Sequence, residues 1–215
     1  MTVWDYLERR GSVVLQLTFE HFLIVVVSVV IATVLASLLA ALVYQSDAAT
    51  NALMTSTSTL YTVPSLSYFT LLFPLLGLGW TPAIVVTVLY ALLPIVRNAL
   101  TGLREVDEAV VRSAQGMGMG HWQRLWRIDL PLAWPVILAG IRVATVLTAG
   151  IATIGAYIDG PGLGTLLFEA LNAVGSTRAL PQATIAIVGI VLVALVLDAF
   201  IQHVVARVTT PKGLR

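Results

Sequence analysis

The chain has 215 residues, of which 58% are hydrophobic and 11% are charged, and its formal net charge is +1. A soluble domain is about 45–50% apolar and about 25% charged, so this composition excludes a soluble globular protein and indicates an integral membrane protein. The near-neutral charge gives no indication of nucleic-acid binding. The sequence contains no cysteine, which excludes disulfides and thiolate metal sites. At this length we expect one transmembrane domain over residues 1–215.

Long apolar segments predict five membrane-spanning helices, because a helix needs about 20 mostly apolar residues to cross a bilayer. Glycines and a proline in 76–82 divide one long uncharged stretch into the second and third spans. A polar loop separates the third and fourth spans, and a short amphipathic piece near 166–171 precedes the fifth. Residues 1–12 form either a short interfacial helix or a frayed terminus. The predicted spans are 17–44, 51–75, 81–100, 131–157 and 179–206, so the fold class is all-α integral membrane.

The Lys and Arg residues set the expected orientation, because cytoplasmic loops collect them. Five spans place the two termini on opposite sides of the bilayer. Eight Lys or Arg residues lie in the loop after the third span and in the C-terminal tail, and three lie on the other side. We therefore expect a multi-pass protein of the plasma or inner membrane, with its N-terminus outside and its C-terminus in the cytoplasm.

The loop at 101–130 is the densest basic segment and is predicted to form two short helices. The first covers Glu105 to Met117 and the second covers His121 to Ile128, with a glycine-rich corner between them. Small residues at such a corner allow a partner to approach closely, and methionines give an adaptable apolar contact. A helical loop that only rests on lipid headgroups is the alternative. The candidate docking residues are Arg112, Ser113, Ala114, Gln115, Gly116, Met117, Gly118, Met119, Gly120, Ile128, Leu130 and Pro131.

The spacing in this loop resembles the signature loop of ABC-type importer permeases. In that family a Glu-Ala-Ala triplet is followed by three residues, a Gly, nine residues and Ile-x-Leu-Pro. Arg112 and Ser113 depart from the pattern, since they stand where the family has Glu and the first Ala. The matching positions are Ala114, Gly118, Ile128, Leu130 and Pro131. Segments that resemble the permeases for quaternary-ammonium osmoprotectants are 17–21, 63–65, 74–79, 97–98, 140–142, 155–158, 162–164 and 180–183.

The resemblance implies the permease of a type I ABC importer for compatible solutes such as glycine betaine, carnitine or choline. It implies that the loop docks on separate ABC ATPase subunits, which bind ATP and Mg. It also implies a second permease subunit, identical or related, and an extracytoplasmic solute-binding protein. This chain has no G-x-x-x-x-G-K-[ST] sequence, so we expect no catalytic residue, metal or cofactor in it. An ABC permease for another small solute, such as an amino acid, an ion-coupled secondary transporter and a membrane scaffold are the alternatives.

Two charged residues inside the predicted spans are candidates for the translocation path. Arg142 and Asp198 lie about 17 and about 12 Å from the cytoplasmic ends of their helices, at 1.5 Å per residue. A charge near the bilayer centre costs about 2.5–3.5 kcal/mol, so the two side chains are expected to pair or to share a polar interior. A structural pair, a path lining and a proton-coupling site remain open as roles.

Residues on the second span form the other candidate group. They are Tyr61, Pro64, Ser65 and Tyr68. Pro64 frees a backbone carbonyl in mid-span, which is tolerated where that carbonyl is buried in protein or faces water. Packing against other helices is the alternative reading of these side chains.

Overall fold

A computed structural model of the chain describes residues 1–209, and the basic residues Lys212 and Arg215 lie outside them. Within 1–209 every regular element is helical, which confirms the predicted all-α fold. Four long helices are apolar enough to cross a membrane, and the bent pair α2–α3 supplies a fifth crossing if it forms one span. The helices are α1 (Val3–Val43), α2 (Asp47–Thr62), α3 (Ser65–Leu76), α4 (Trp80–Arg104), α5 (Glu108–Gly116), α6 (His121–Arg124), α7 (Leu130–Ile154), α8 (Gly164–Asn172) and α9 (Ala179–Thr209).

The first helix begins well before the predicted start of its span at residue 17, and its N-terminal end is not frayed. The Thr2 hydroxyl accepts a hydrogen bond from the Asp5 N–H at 3.2 Å, and the Asp5 carboxylate accepts one from the Thr2 N–H at 2.7 Å. This reciprocal cap starts a helix. Tyr6 is buried against α8 and α9. A kink at Arg10, where φ is −130°, separates this first segment from the rest of α1.

The predicted second span, 51–75, is broken rather than continuous. Its two helices, α2 and α3, meet at an angle of 92°. Val63 has extended backbone angles, and Pro64 follows it. Proline lacks an N–H and disfavours helical geometry in the residue before it, so the break falls at this pair.

The centre of the bundle is the packing of α4 against α7, with α1 covering α4 on another side. Two glycines bring the two backbones close together. A Cβ atom at Gly140 would lie 2.6 Å from the Asn98 Cβ and 2.8 Å from the Pro94 carbonyl oxygen. A Cβ atom at Gly102 would lie 2.9 Å from the Ala133 carbonyl oxygen. Small residues at helix contacts favour association in a bilayer because they permit this close approach.

Replacing the central glycine tests this contact. We expect Gly140→Ala to destabilise the protein by about 1–3 kcal/mol, because the added methyl group overpacks a filled contact. Gly150 lies in the same helix with nothing within 4 Å of its Cβ position, so Gly150→Ala is the matched control. Thermal unfolding of the two detergent-solubilised variants measures the difference. Equal midpoints would contradict the close approach of α4 and α7.

At the far end of α7 the chain turns through a 3-10 segment, Gly155–Ile158, into α8. This helix contains the amphipathic piece predicted near 166–171. The Gln182 side-chain amide of α9 donates to the Glu169 carboxylate of α8 at 2.8 Å and to the Tyr6 hydroxyl of α1 at 3.2 Å. Polar contacts therefore join α1, α8 and α9 at this end of the bundle.

Candidate functional site

The loop between α4 and α7 opens with α5, which begins later than the predicted start at Glu105. Asp107 sets the start, because its carboxylate accepts a hydrogen bond from the Ala109 N–H at 2.7 Å and caps the helix. Arg112 pairs with Glu108 one turn earlier at 3.4 Å. Both side chains are exposed, and such a pair contributes about 0.3–0.5 kcal/mol. The Arg that replaces the family's Glu is thus partnered within its own helix.

The helix ends in a glycine-dependent turn. The Met119 N–H donates to the Ala114 carbonyl at 3.1 Å, and the Gly118 N–H donates to the Gln115 carbonyl at 2.9 Å. This pair of bonds is a Schellman motif, which needs a left-handed residue after the helix. Gly118 supplies it with φ of +79°. The glycine therefore fixes the shape of the corner.

Most of the predicted docking residues lie on the surface of the protein. The Met117 side chain is 70% exposed, and the Cβ position of Gly118 has nothing within 4 Å. Ala114 is fully buried and Met119 is half-buried beneath the turn. We call residues 112–120, the part of the loop for which docking is predicted, the docking corner. Its exposed members among the predicted residues are Arg112, Ser113, Gln115, Gly116, Met117, Gly118 and Gly120.

The chain returns from the docking corner to the membrane in one continuous helix. The short helix α6 passes through a π-helical turn, Leu125–Asp129, directly into α7. The helix that carries the fourth span therefore begins before the predicted start at residue 131. A π turn widens the helix just before Pro131, whose missing N–H would leave a carbonyl unpaired in a regular helix. Ile128 and Leu130 are half-buried, and Pro131 is exposed.

A buried polar network that the sequence analysis did not predict lies beneath this turn. The Arg124 Nε and the Asp129 Oδ2 form an ion pair at 3.1 Å. The Tyr44 hydroxyl donates to the same oxygen at 2.8 Å and accepts from the Arg124 Nη2 at 3.1 Å. All three residues are less than 8% exposed. The available signal was a carboxylate inside the apolar Ile-Asp-Leu-Pro sequence, since a buried charge requires a partner.

The four path candidates of the second span come together at the break between α2 and α3. Tyr61 lies in the last turn of α2, Pro64 is exposed at the break, and Ser65 is the first residue of α3. Tyr90 of α4, which the sequence analysis missed, joins them. Its ring centroid lies 5.3 Å from that of Tyr61 and 6.0 Å from that of Tyr68.

Two tyrosine hydroxyls donate hydrogen bonds to backbone carbonyls at this break. Pro64 cannot donate to the Leu60 carbonyl, and the Tyr68 hydroxyl donates to that oxygen at 2.7 Å instead. The Tyr90 hydroxyl donates to the Val63 carbonyl. The break is therefore a stabilised element of the fold.

Arg142 of α7 and Asp198 of α9 form the ion pair that the sequence predicted. The guanidinium contacts both carboxylate oxygens, with the Arg142 Nη2 3.1 Å from Oδ2. Gln202 donates to the same carboxylate at 2.7 Å. The Arg142 side chain is 48% exposed and that of Asp198 is 15% exposed. The pair lies on the outside of this bundle, and on different helices from the tyrosine cluster.

The bundle, its broken second span and its docking corner have the fold of an ABC importer permease. An inward-facing crystal structure of the MetNI methionine ABC transporter superposes with a TM-score of 0.80 at 19% identity, covering 94% of this chain and 99% of that one. The sequence comparison then identifies the family. The chain belongs to the binding-protein-dependent transport system inner membrane components, which match residues 18–210. It is the transmembrane permease subunit of an ABC importer.

Two relatives indicate which group within this family the chain resembles. The glycine betaine/carnitine/choline transport system permease protein OpuCB of Bacillus subtilis is 34% identical over 98% of this chain and 94% of its own length. The ergothioneine transport permease/ergothioneine binding protein EgtU of Helicobacter pylori is 40% identical over 66% of this chain and 25% of its own length. The resemblance that the loop spacing indicated is confirmed.

Proposed function

We propose that this permease imports compatible solutes of the quaternary-ammonium class, such as glycine betaine, carnitine or choline. The observation that carries the proposal is the similarity to OpuCB, whose name gives those three solutes, along 98% of the chain. The similarity to EgtU supports ergothioneine as a second candidate solute. An amino acid has less support, because the likeness to the methionine transporter is 19% identical and concerns the fold alone.

The docking corner is the part of the chain that contacts the ATPase. Its exposed Met117 and the open space at Gly118 support this role, because they present an adaptable apolar surface that a groove can enclose. ATP and Mg are bound by that separate chain. ATP binding closes the ATPase pair, brings the docking corners together and opens the path outward.

The translocation path runs between this permease and a second permease subunit, either identical or related. An extracytoplasmic solute-binding protein delivers the solute to the outer end. The break at Pro64 supports a place on this path, since irregular backbone at membrane depth is tolerated where it is buried in protein or lines water. The exposed face of α2 carries Thr55, Ser56 and Thr59, which also suits a wet surface. The pair of Arg142 and Asp198 faces protein or the path, because contact of the two charges with lipid would cost free energy.

The N-terminus lies outside and the docking corner lies in the cytoplasm, as the distribution of Lys and Arg indicates. Gln123 and Asn172 are both exposed and lie on α6 and α8. The native chain has no cysteine, so single Gln123→Cys and Asn172→Cys variants report on one site each. We expect an impermeant thiol reagent to label Asn172→Cys from outside and Gln123→Cys only after the membrane is opened. Labelling of both from one side would refute the five-span topology.

Reconstitution tests the transport proposal directly. The permease, its ATPase and its binding protein are assembled in proteoliposomes, and uptake of labelled glycine betaine, carnitine, choline, ergothioneine and methionine is compared. We expect uptake of one or more of the three quaternary amines to depend on ATP at the face that carries the ATPase. Uptake of methionine alone would contradict the solute class. Uptake driven by an ion gradient without ATP would support a secondary transporter.

A further inference from the structure

We propose that Tyr44, Arg124 and Asp129 form a rigid joint that makes the end of α1 move together with the docking corner. Tyr44 directly follows α1, Arg124 ends α6 and Asp129 ends the π-helical turn. Through this joint, displacement of the docking corner reaches the first membrane helix by side-chain contacts as well as reaching α7 along the backbone. The inference rests on the proposed docking of the corner on the ATPase.

The geometry of the three side chains makes the joint stiff. The hydroxyl, the guanidinium and the carboxylate contact one another in a closed triangle, with distances of 2.8, 3.1 and 3.1 Å. Arg124 is 6% exposed and Asp129 is 1% exposed, so water does not replace these bonds readily. The ion pair lies within the segment from α6 to the π-helical turn, and the Tyr44 hydroxyl ties α1 to it. Separating α1 from this segment would break two buried hydrogen bonds to charged groups, which opposes the separation.

A second set of contacts extends the joint to neighbouring helices. The Gln45 amide lies 3.0 Å from the Nδ1 of His121, the first residue of α6. The Arg104 side chain, at the end of α4, donates to the Tyr44 carbonyl at 2.9 Å and to the Asp47 carboxylate at 2.8 Å. The turn between α1 and α2 is therefore tied to both ends of the loop that carries the docking corner.

The π-helical turn lies at the place where the side-chain joint is made. A π turn is a local widening of a helix and often occurs at functional sites. The side-chain contacts give the segment from α6 to α7 a connection to α1 besides its backbone. Asp129 lies in the turn and its carboxylate bonds to Arg124 on α6, which fixes the turn to the docking corner's return helix.

Tyr44→Phe removes one hydroxyl from the joint and is the first test. In the complete complex in proteoliposomes, we expect ATPase binding and ATP hydrolysis to persist while solute transported per ATP hydrolysed falls roughly tenfold, as for loss of one hydrogen bond to a charged group. Tyr157→Phe is the matched control, because the Tyr157 side chain is exposed and its hydroxyl has no hydrogen bond among residues 1–209. A Tyr44→Phe complex with a lower unfolding temperature but an unchanged ratio would show a purely structural role and overturn the proposal.

A cross-link gives the second test. The native chain has no cysteine, so Gln45→Cys with His121→Cys gives one defined pair of thiols across the joint, which a short bifunctional maleimide can link. We expect the linked and unlinked forms to transport at the same rate, because the two segments do not move relative to each other. Transport in the unlinked form that is lost on linking would contradict the joint. If the wild-type permease fails to bind its ATPase, the docking proposal itself fails, and that result is separate from either outcome here.

Discussion

Gly118→Asp is expected to abolish solute-stimulated ATP hydrolysis and solute uptake together, while the permease remains folded and inserted. The Cβ position has nothing within 4 Å, so there is open space where the new side chain begins. The left-handed backbone costs an L-residue about 1–2 kcal/mol, and Asp is among the residues that tolerate it best. In the complex, the same side chain would place a charge and added bulk where the docking corner is proposed to contact the ATPase.

Gly175→Asp is the matched control for this prediction. Gly175 also has a left-handed backbone, with φ of +90°, and nothing within 4 Å of its Cβ position. It lies between α8 and α9, away from the loop. The two variants therefore share the added charge and the backbone strain, and we expect only Gly118→Asp to lose coupling. Co-purification of the ATPase, ATP hydrolysis and uptake are measured for both. Wild-type transport by Gly118→Asp with the ATPase bound would show that the docking corner is not the coupling element.

The family's usual residue provides a complementary variant. Arg112→Glu removes the exposed pair with Glu108 and places two carboxylates one helical turn apart. Such a pair costs only a few tenths of a kcal/mol on an exposed helix, roughly 0.2–0.5 kcal/mol. We expect transport to be retained, because the shape of the docking corner and not this charge is proposed to fit the ATPase.

The second large effect is expected at the ion pair between α7 and α9. Arg142→Ala and Asp198→Ala each leave one charge at membrane depth, where an uncompensated charge costs about 2.5–3.5 kcal/mol. We expect either change alone to lower the amount of inserted permease and to abolish uptake. The double variant Arg142→Asp with Asp198→Arg restores opposite charges and is expected to recover more than either Arg142→Asp or Asp198→Arg alone.

Membrane insertion and uptake are measured together for the five charge variants and the wild type. The corresponding change at Gln202, Gln202→Leu, removes a neutral donor to the same carboxylate and serves as the milder control. A charge-swapped double variant that is no better than the worse single change would remove the support for an energetically important pair. Recovery of insertion without recovery of uptake would instead support a place for the pair on the translocation path.

The sequence predicted the elements that depend on local signals. The lengths of the apolar segments predicted the membrane helices. The spacing of the glycines in the loop predicted the turn at Gly118. The ion pair of Arg142 and Asp198 was also predictable, because two opposite charges at similar depth in a bilayer lower their free energy by pairing. Family membership followed from the spacing of the loop and its Ile-Asp-Leu-Pro end.

Features that depend on contacts distant in sequence were not predicted. Pro64 indicated a disturbed helix, but the right-angle break depends on the hydroxyls of Tyr68 and Tyr90, and Tyr90 is far along the chain. The network of Tyr44 with Asp129 joins residues 85 positions apart, and no periodicity links them. A short helix at residues 1–12 was one of two predicted alternatives, but the burial of Tyr6 against α8 and α9 was not predicted. Local pattern carries no information on such pairings.

The contact between Tyr6 and Gln182 has a consequence for biosynthesis. These residues are 176 positions apart, so the start of α1 reaches its final environment only after nearly the whole chain has been translated. Until then Tyr6 has no partner on α9, and the first segment of α1 lacks its final contacts. Closing such a long loop delays the last step of folding.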